Sequence, residues 1–148
     1  MKPKSANGGT DAKIASVPSA AENRKKINFR LEGGTSGSAV VLHCQGRVVS
    51  RSEARSLSLI VAEVLPSAGR MIVDLSEIDA ADSGGLGELA LTQMWAEAAG
   101  YTLKFASPKK SLLDLVEVTN LTSVFDIHNS VPEAMAAMAM IEEKIPSA

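Results

Sequence analysis

A serine hydroxyl set among glycines where a strand meets a helix is the feature of this sequence most suited to chemistry. Met71-Ile72-Val73-Asp74-Leu75 reads as a buried strand, and eight residues beyond Asp74 the run Asp82-Ser83-Gly84-Gly85-Leu86-Gly87 opens a helix. That junction puts Ser83 at or beside the helix N-cap, where backbone N–H groups point outward without partners. A phosphate on the hydroxyl would meet the favourable end of the helix dipole, worth about 0.3–1 kcal/mol at an exposed site. The glycines leave the hydroxyl sterically open. The same local pattern also fits a plain cap, with Ser83 or Asp82 doing no more than satisfying the first turn.

Other reactive combinations are poorer. Gly85-Leu86-Gly87-Glu88-Leu89-Ala90 matches the G-x-G-x-x-A fingerprint of a dinucleotide site, but the position about 20 residues on, where an acidic residue should close the next strand, is Phe105. The Gly33 to Ser38 stretch lacks the Gly-Lys-Ser/Thr of a phosphate-binding loop. His43 and Cys44 are strand neighbours, so alternation sends them to opposite faces, one to the core and one to the surface. His128 has no evident base–nucleophile partner. Asp74 and Asp79 suggest a carboxylate or metal pair, although an aspartate ending a strand is commonly a turn or cap residue. One cysteine and two distant histidines make neither a disulfide framework nor a four-ligand zinc site.

The elements that must position Ser83 follow from the apolar spacing. Ile27 to Glu32 alternates apolar and polar, a strand with one buried face, and Ala39 to Cys44 is a second, buried strand. The two can pair antiparallel across the glycine-rich stretch between them. A helix is predicted from about Ser52 to Pro66, with Ser50 and Glu53 at capping-box spacing and Ala54, Leu57, Val61 and Val64 on its inner face. After the strand from Met71 to Leu75 comes a helix from Ser83 to Ala99, with Leu86, Leu89, Ala90 and Met94 inward. Leu91 and Trp95 stand off that stripe, so they either pack under a neighbouring helix or offer a partner an apolar anchor.

Beyond Gly100 the pattern predicts a strand from Tyr101 to Ala106 and a helix from Lys109 to Val118 started by Ser107-Pro108. A short strand from Val124 to Ile127 and a Met/Ala-rich helix from Ser130 to about Lys144 follow. The order is an N-terminal hairpin and then helix and strand in alternation. It predicts an α/β fold, one mixed sheet of about five strands with about four helices and largely parallel later strands.

At 148 residues, with 45% apolar and 22% charged side chains, there is material for one core and no need of metal or disulfide staples. Residues 1–26 hold six Lys and Arg against two Asp and Glu, a net of +4, while residues 27–148 hold nine against fifteen, a net of −6. The first 26 residues have few large apolar side chains and are expected to form a flexible basic tail, with the domain over 27–148. An acidic domain with three Phe, one Tyr and one Trp is a poor nucleic-acid binder. The longest apolar run, the eight residues Ala134 to Ile141, is too short to span a membrane, and the start has no export-signal pattern. A reducing, cytoplasmic location is expected.

Taken in order, Leu42 through Gly46, Val73-Asp74-Leu75, Asp82-Ser83-Gly84 with Leu86-Gly87, and Leu121-Thr122-Ser123-Val124-Phe125 resemble the STAS domain, the sulfate-transporter and anti-sigma-factor-antagonist family. The resemblance covers about residues 27–145 and is nearest to the stand-alone bacterial anti-anti-sigma factors. It implies a binding switch with no catalysis and no cofactor. Ser83 would be the target of a partner that is both anti-sigma factor and ATP-dependent serine kinase. The unphosphorylated form would hold that partner, phosphorylation would release it, and a phosphatase would restore binding.

By motif position the resemblance implies a partner surface built from Asp82, Ser83, Gly84, Gly85, Leu86 and Gly87, joined by Arg47, Ser50 and Ser52 after the second strand, with Leu91 and Trp95 beyond. Two departures stand out. Gly84 replaces the second serine found in many relatives, leaving one hydroxyl at the turn. Gly46-Arg47-Val48-Val49 puts Val49 where the family often has aspartate and leaves Ser52 at its threonine position. A STAS module that binds constitutively, as in stress complexes or lipid-transport assemblies, is the first alternative, and a small nucleotide-binding enzyme the second.

Overall fold

The computed structural model describes residues 27–33 and 39–144. The expected basic tail, and most of the link between the first two strands, lie outside the described residues. The elements are β1 (Asn28–Gly33), β2 (Val40–Val48), α1 (Ser50–Ala68), β3 (Arg70–Ala81), α2 (Ser83–Ala98), β4 (Thr102–Ala106), α3 (Lys110–Val118), β5 (Ile127–His128) and α4 (Val131–Lys144). One five-stranded sheet runs in the order β1-β2-β3-β4-β5. β1 pairs antiparallel with β2 and every later pairing is parallel, as the alternating pattern predicts.

Each parallel strand adds beside its predecessor, so successive crossovers of one hand lay their helices on one face. The main core confirms this: Leu42, Met71, Val73, Leu103 and Phe105 of the sheet meet Leu57 and Val61 of α1, Leu86 and Leu89 of α2, and Leu112 and Val116 of α3. The alternate residues Val41, Ile72 and Ala106 face the other side, where Ala134 and Met138 of α4 cover them. α4 covers only part of that face. His43 and Asp74, two residues on from Val41 and Ile72, continue the same face with polar side chains.

β3 is the element most changed from expectation. Its pattern predicts an end at Leu75, yet it continues to Ala81. Asp74 pairs with His43 but Glu77 with Gln45, and Ile78 pairs with Gly46 but Ala80 with Arg47, so β3 carries an extra residue at each of these steps. The bulges break the strict alternation that sequence reading relies on, and they let both Leu75 and Ile78 reach the core. The Asp74 carboxylate accepts the Ser76 N–H at 3.0 Å, satisfying a group the first bulge frees from the ladder.

Four other expectations shift. α1 starts at Ser50 and runs past Pro66 to Ala68, where Gly69, at φ 79°, returns its N–H to the Leu65 carbonyl. Leu65 takes the fully buried place expected of Val64, which is half-buried. α3 is entered from Lys109 in extended backbone with no side-chain cap, so Ser107-Pro108 lies ahead of the first turn. β5 is only Ile127–His128, because Thr122 to Val124 turn and place Phe125 edge-on against Phe105, with centroids 5.4 Å apart.

On α2, Gln93 is fully buried where Met94 was expected. Its side-chain amide donates to the Leu103 carbonyl at 2.9 Å and accepts the Asp126 N–H at 3.2 Å, stitching α2 to β4 and to the chain entering β5. Lys104, buried on the α4 side, pairs with Asp126 at 2.7 Å.

Candidate switch site

β3 ends at Ala81 and α2 begins at Ser83, so Asp82 is the hinge between them, in extended backbone at φ −128° and ψ 177°. Asp82, not Ser83, is the N-cap: its Oδ1 accepts the Gly85 N–H at 2.8 Å. Both its oxygens also accept the Ser50 N–H, each at 2.9 Å. One carboxylate therefore ties the starts of α1 and α2 together. The amides of Gly85 and Ser50 hold the Asp82 carboxyl below the usual carboxylate range, so it is charged.

Ser50 is reached with φ at 74°, a left-handed conformation uncommon for a residue with a side chain. Its hydroxyl does not cap α1. It lies 3.0 Å from the Ser52 hydroxyl, and the cap residue is Val49, whose N–H is taken by the Glu53 carboxylate at 2.9 Å. Half of the expected capping box is thus present, with its first position moved by one residue.

The glycines of the turn have different duties. A Cβ on Gly85 would lie 1.9 Å from the Val48 carbonyl oxygen, so the end of β2 presses directly on the first turn of α2. Gly84 has ordinary clearance, with nothing nearer than 3.6 Å, and Gly87 has nothing within 4 Å. Only Gly85 is required by packing. The pressed glycine is the first of the fingerprint, and what presses on it is the protein's own chain.

Ser83 is the first residue of α2 and is exposed, and its hydroxyl makes no hydrogen bond among the described residues. Leu86 is buried in the core beneath it. Arg47 is half-buried opposite Ala80, with its Nε buried and unpartnered among the described residues. Arg51 lies 4.0 Å from Glu88, which also accepts from Ser58 at 3.1 Å. The structure thus brings Asp82, Ser83, Gly84, Gly85, Ser50 and Ser52 to one end of the sheet, with Arg47 at the strand end beside them.

α2 is apolar on more than its inner side. Its charged residues are Glu88 and Glu97, and the face running from Ser83 through Gly87, Leu91, Met94 and Ala98 carries none. Leu91 is 57% exposed, Met94 54% and Trp95 38%, and Leu59 of α1 stands 58% exposed across a shallow groove from Leu91 and Trp95. Leu91 and Trp95 are therefore not covered by a neighbouring helix, although the Trp95 ring leans on Tyr101 with centroids 5.8 Å apart. Sequence reading places Met94 inward because its spacing from Leu86 and Ala90 fits a core stripe, and it passes over Leu59, which stands off the stripe of Ala54, Leu57 and Val61.

The remaining candidates disperse. His43 and Cys44 do point to opposite faces, and burial pushes the Cys44 thiol up to about 12, which keeps it protonated and inert near neutrality. His128 bonds Asp126 at 2.9 Å. Asp74 bonds His43 whereas Asp79 bonds Lys109 at 2.6 Å, so the two aspartates form no pair. Among the described residues no group of His, Cys, Asp or Glu is arranged to hold a metal, and no helix is long and apolar enough to cross a membrane.

Several solved structures share this fold. An anti-sigma factor antagonist from Mycobacterium paratuberculosis aligns with a TM-score of 0.63 at 18% identity, covering 76% of this chain and 94% of that one. The unphosphorylated form of the anti-sigma factor antagonist SpoIIAA aligns at 0.57 and 16%, covering 80% and 100%. The phosphorylated form of the Bacillus cell fate determinant SpoIIAA aligns at 0.54 and 15%, covering 75% and 99%. At these identities the likeness is one of fold. No curated protein sequence matches significantly. Residues 33–127 match the family model described as "Mlab, STAS domain", a span of more than half the sequence that includes the β3–α2 turn, and the chain belongs to the STAS-domain family.

Proposed function

We propose that this chain is a non-catalytic, cytoplasmic anti-sigma factor antagonist. Unphosphorylated, it sequesters an anti-sigma factor that is also an ATP-dependent serine kinase. Phosphorylation of Ser83 releases that partner, and a phosphatase resets the switch. The observation that carries this reading is the exposed Ser83 at the head of an uncharged, exposed face of α2 that continues through Leu91 and Met94, with Trp95 at its border beside Glu88. Solvent-facing apolar rows on a helix otherwise packed by its inner side mark a surface built for another protein.

The electrostatics supply the switch. A phosphate adds about −1.5 to −2 charges beside the ionised Asp82, without breaking the cap, since the cap is the Asp82 carboxylate. An apolar or acidic partner surface over Ser83 then meets concentrated negative charge. A differential of about 1–3 kcal/mol changes affinity some 5–150-fold.

A second reading is favoured by the family match itself, whose description is "Mlab, STAS domain". In it the chain is a constitutive binding module of the lipid-transport type, and Ser83 is only the first helical residue. Val49 in place of the family's frequent aspartate fits that reading. Intact-mass measurement and peptide mapping after incubation with Mg-ATP and host lysate, with Ser83→Ala in parallel, separate the two. Phosphate on Ser83, absent from the variant, supports the switch. An unmodified Ser83, with Ser83→Asp capturing the same partner as the unsubstituted protein, supports the constitutive module.

A further inference from the structure

On the face of the sheet opposite Ser83's helix, one imidazole is held by two carboxylates from different strands. His43 of β2 places Nδ1 2.6 Å from Asp74 Oδ2 on β3 and Nε2 2.5 Å from Glu32 Oε1 on β1. His43 and Asp74 are direct register partners, and Glu32 reaches His43 diagonally from its place opposite Val41. Among the described residues no α4 side chain lines the open cavity of about 230 Å³ beside the group, and the His43 side chain is 22% exposed there.

A neutral imidazole has one N–H and can donate to only one of these carboxylates; its other nitrogen then turns a lone pair toward the second. An imidazolium donates to both. The geometry is therefore complete only in the protonated state. The groups acting on the ring are Glu32 and Arg30 from β1 and Asp74 from β3, while Glu77 of β3 lines the same cavity. Burial pulls the His43 value down, but hydrogen bonds to Glu32 and Asp74 outweigh it and the opposing Arg30, and hold it above 6.5.

Among the described residues β1 stands at the edge of the sheet, with β2 as its one neighbour. Leu31 is 50% exposed, and Phe29 is the residue of β1 that packs partly against the main core. With modest apolar burial, the side-chain tie to β2 and β3 adds to the six-residue backbone ladder that pairs it with β2. We propose that Glu32, His43 and Asp74 form a proton-operated latch that fastens the edge strand β1 to the sheet when His43 is protonated and loosens it when His43 loses its proton.

The sign follows from linkage. A histidine whose folded value lies above its unfolded 6.5 contributes stability that is fully present below about 6.5 and lost as pH rises through the folded value. β1 is tight in mildly acid solution and loosens on the alkaline side. Neither a partner nor phosphorylation is needed, so the latch is independent of the switch reading.

The test is NMR on the intact chain: ring titration of His43, and amide-exchange protection factors for β1 against β3 and β4 from pH 5.5 to 8.5. The latch requires a His43 midpoint above 6.5 and β1 protection that falls selectively as pH rises, by on the order of tenfold per unit of the midpoint's elevation. Glu32→Gln should lower the midpoint, and His43→Gln should flatten the β1 profile. A midpoint at or below 6.5, or β1 protection that does not change across the titration, overturns the proposal from the unsubstituted protein alone.

Discussion

The Asp82 carboxylate straddles the backbone N–H of Ser50, with both oxygens at 2.9 Å, while its Oδ1 also takes the Gly85 N–H at 2.8 Å. Two helices separated by the whole of β3 thus start from one anion, and the strained Ser50 backbone, at φ 74°, is held in place by that bond. Asp82→Ala should expose the Ser50 and Gly85 amides to exchange while leaving those of β4 protected. It should lower Tm more than Ser83→Ala does, since the Ser83 hydroxyl holds nothing among the described residues. Equal effects from the two variants would mean that Asp82 is not the common anchor.

Gly85 and Gly87 should respond oppositely to alanine. At Gly85 the new methyl meets the Val48 carbonyl oxygen at 1.9 Å, so the β2–α1 junction must move, at a cost of about 1–3 kcal/mol. At Gly87 nothing lies within 4 Å and the helix gains about 0.5–1 kcal/mol. Urea unfolding of both variants checks the pair, and a neutral Gly85→Ala would contradict the close approach.

Gln93 offers a test of the seam between α2 and β4. Gln93→Leu keeps the bulk but strands the buried Leu103 carbonyl and the Asp126 N–H, which Gln93 now satisfies at 2.9 and 3.2 Å. A loss of about 1–3 kcal/mol by denaturant unfolding is expected, despite the gain in apolarity. A variant as stable as the parent would place those bonds elsewhere.

Acid should weaken the fold through two carboxylates. Burial acts to raise Asp74, but hydrogen bonds from Ser76 and His43 hold it below 3.8, and the Gly85 and Ser50 amides hold Asp82 below the same value. Groups lowered in the folded state contribute stability above their unfolded value and lose it as pH falls through the folded one. The urea midpoint should drop as pH is taken from 5 to 2, and Asp74→Asn should make that drop shallower. An unchanged slope would show that Asp74 is not among the groups responsible.

Much of this architecture is legible in local pattern. The hairpin, the alternation after it, the parallel later strands and the position of Ser83 at the mouth of α2 follow from period-two and helical spacing, which depend on neighbours in the chain. The reading falters at β3, where two bulges remove the alternation. It falters on α2, where an apolar outer face hides the direction of the core, because a helix apolar all round has no period to read. The capping box at Ser50 and Glu53 is half right for a related reason. Glu53 reaches back, but to the Val49 N–H, while the Ser50 N–H is taken by a carboxylate arriving from 32 residues away.

What the sequence determined by itself is the order of elements, the family, and the one hydroxyl available at the turn, since each is carried by short local runs read in order along the chain. Only the tertiary structure decided that Asp82 rather than Ser83 is the cap, that Leu59, Leu91 and Trp95 line one exposed groove while Met94 faces outward, and that His43 lies between Glu32 and Asp74. These depend on which strands become neighbours and in what register. A bulge or a rotated helix changes such distances without changing any local pattern, so residues far apart in the chain come within hydrogen-bonding reach only when the sheet is assembled.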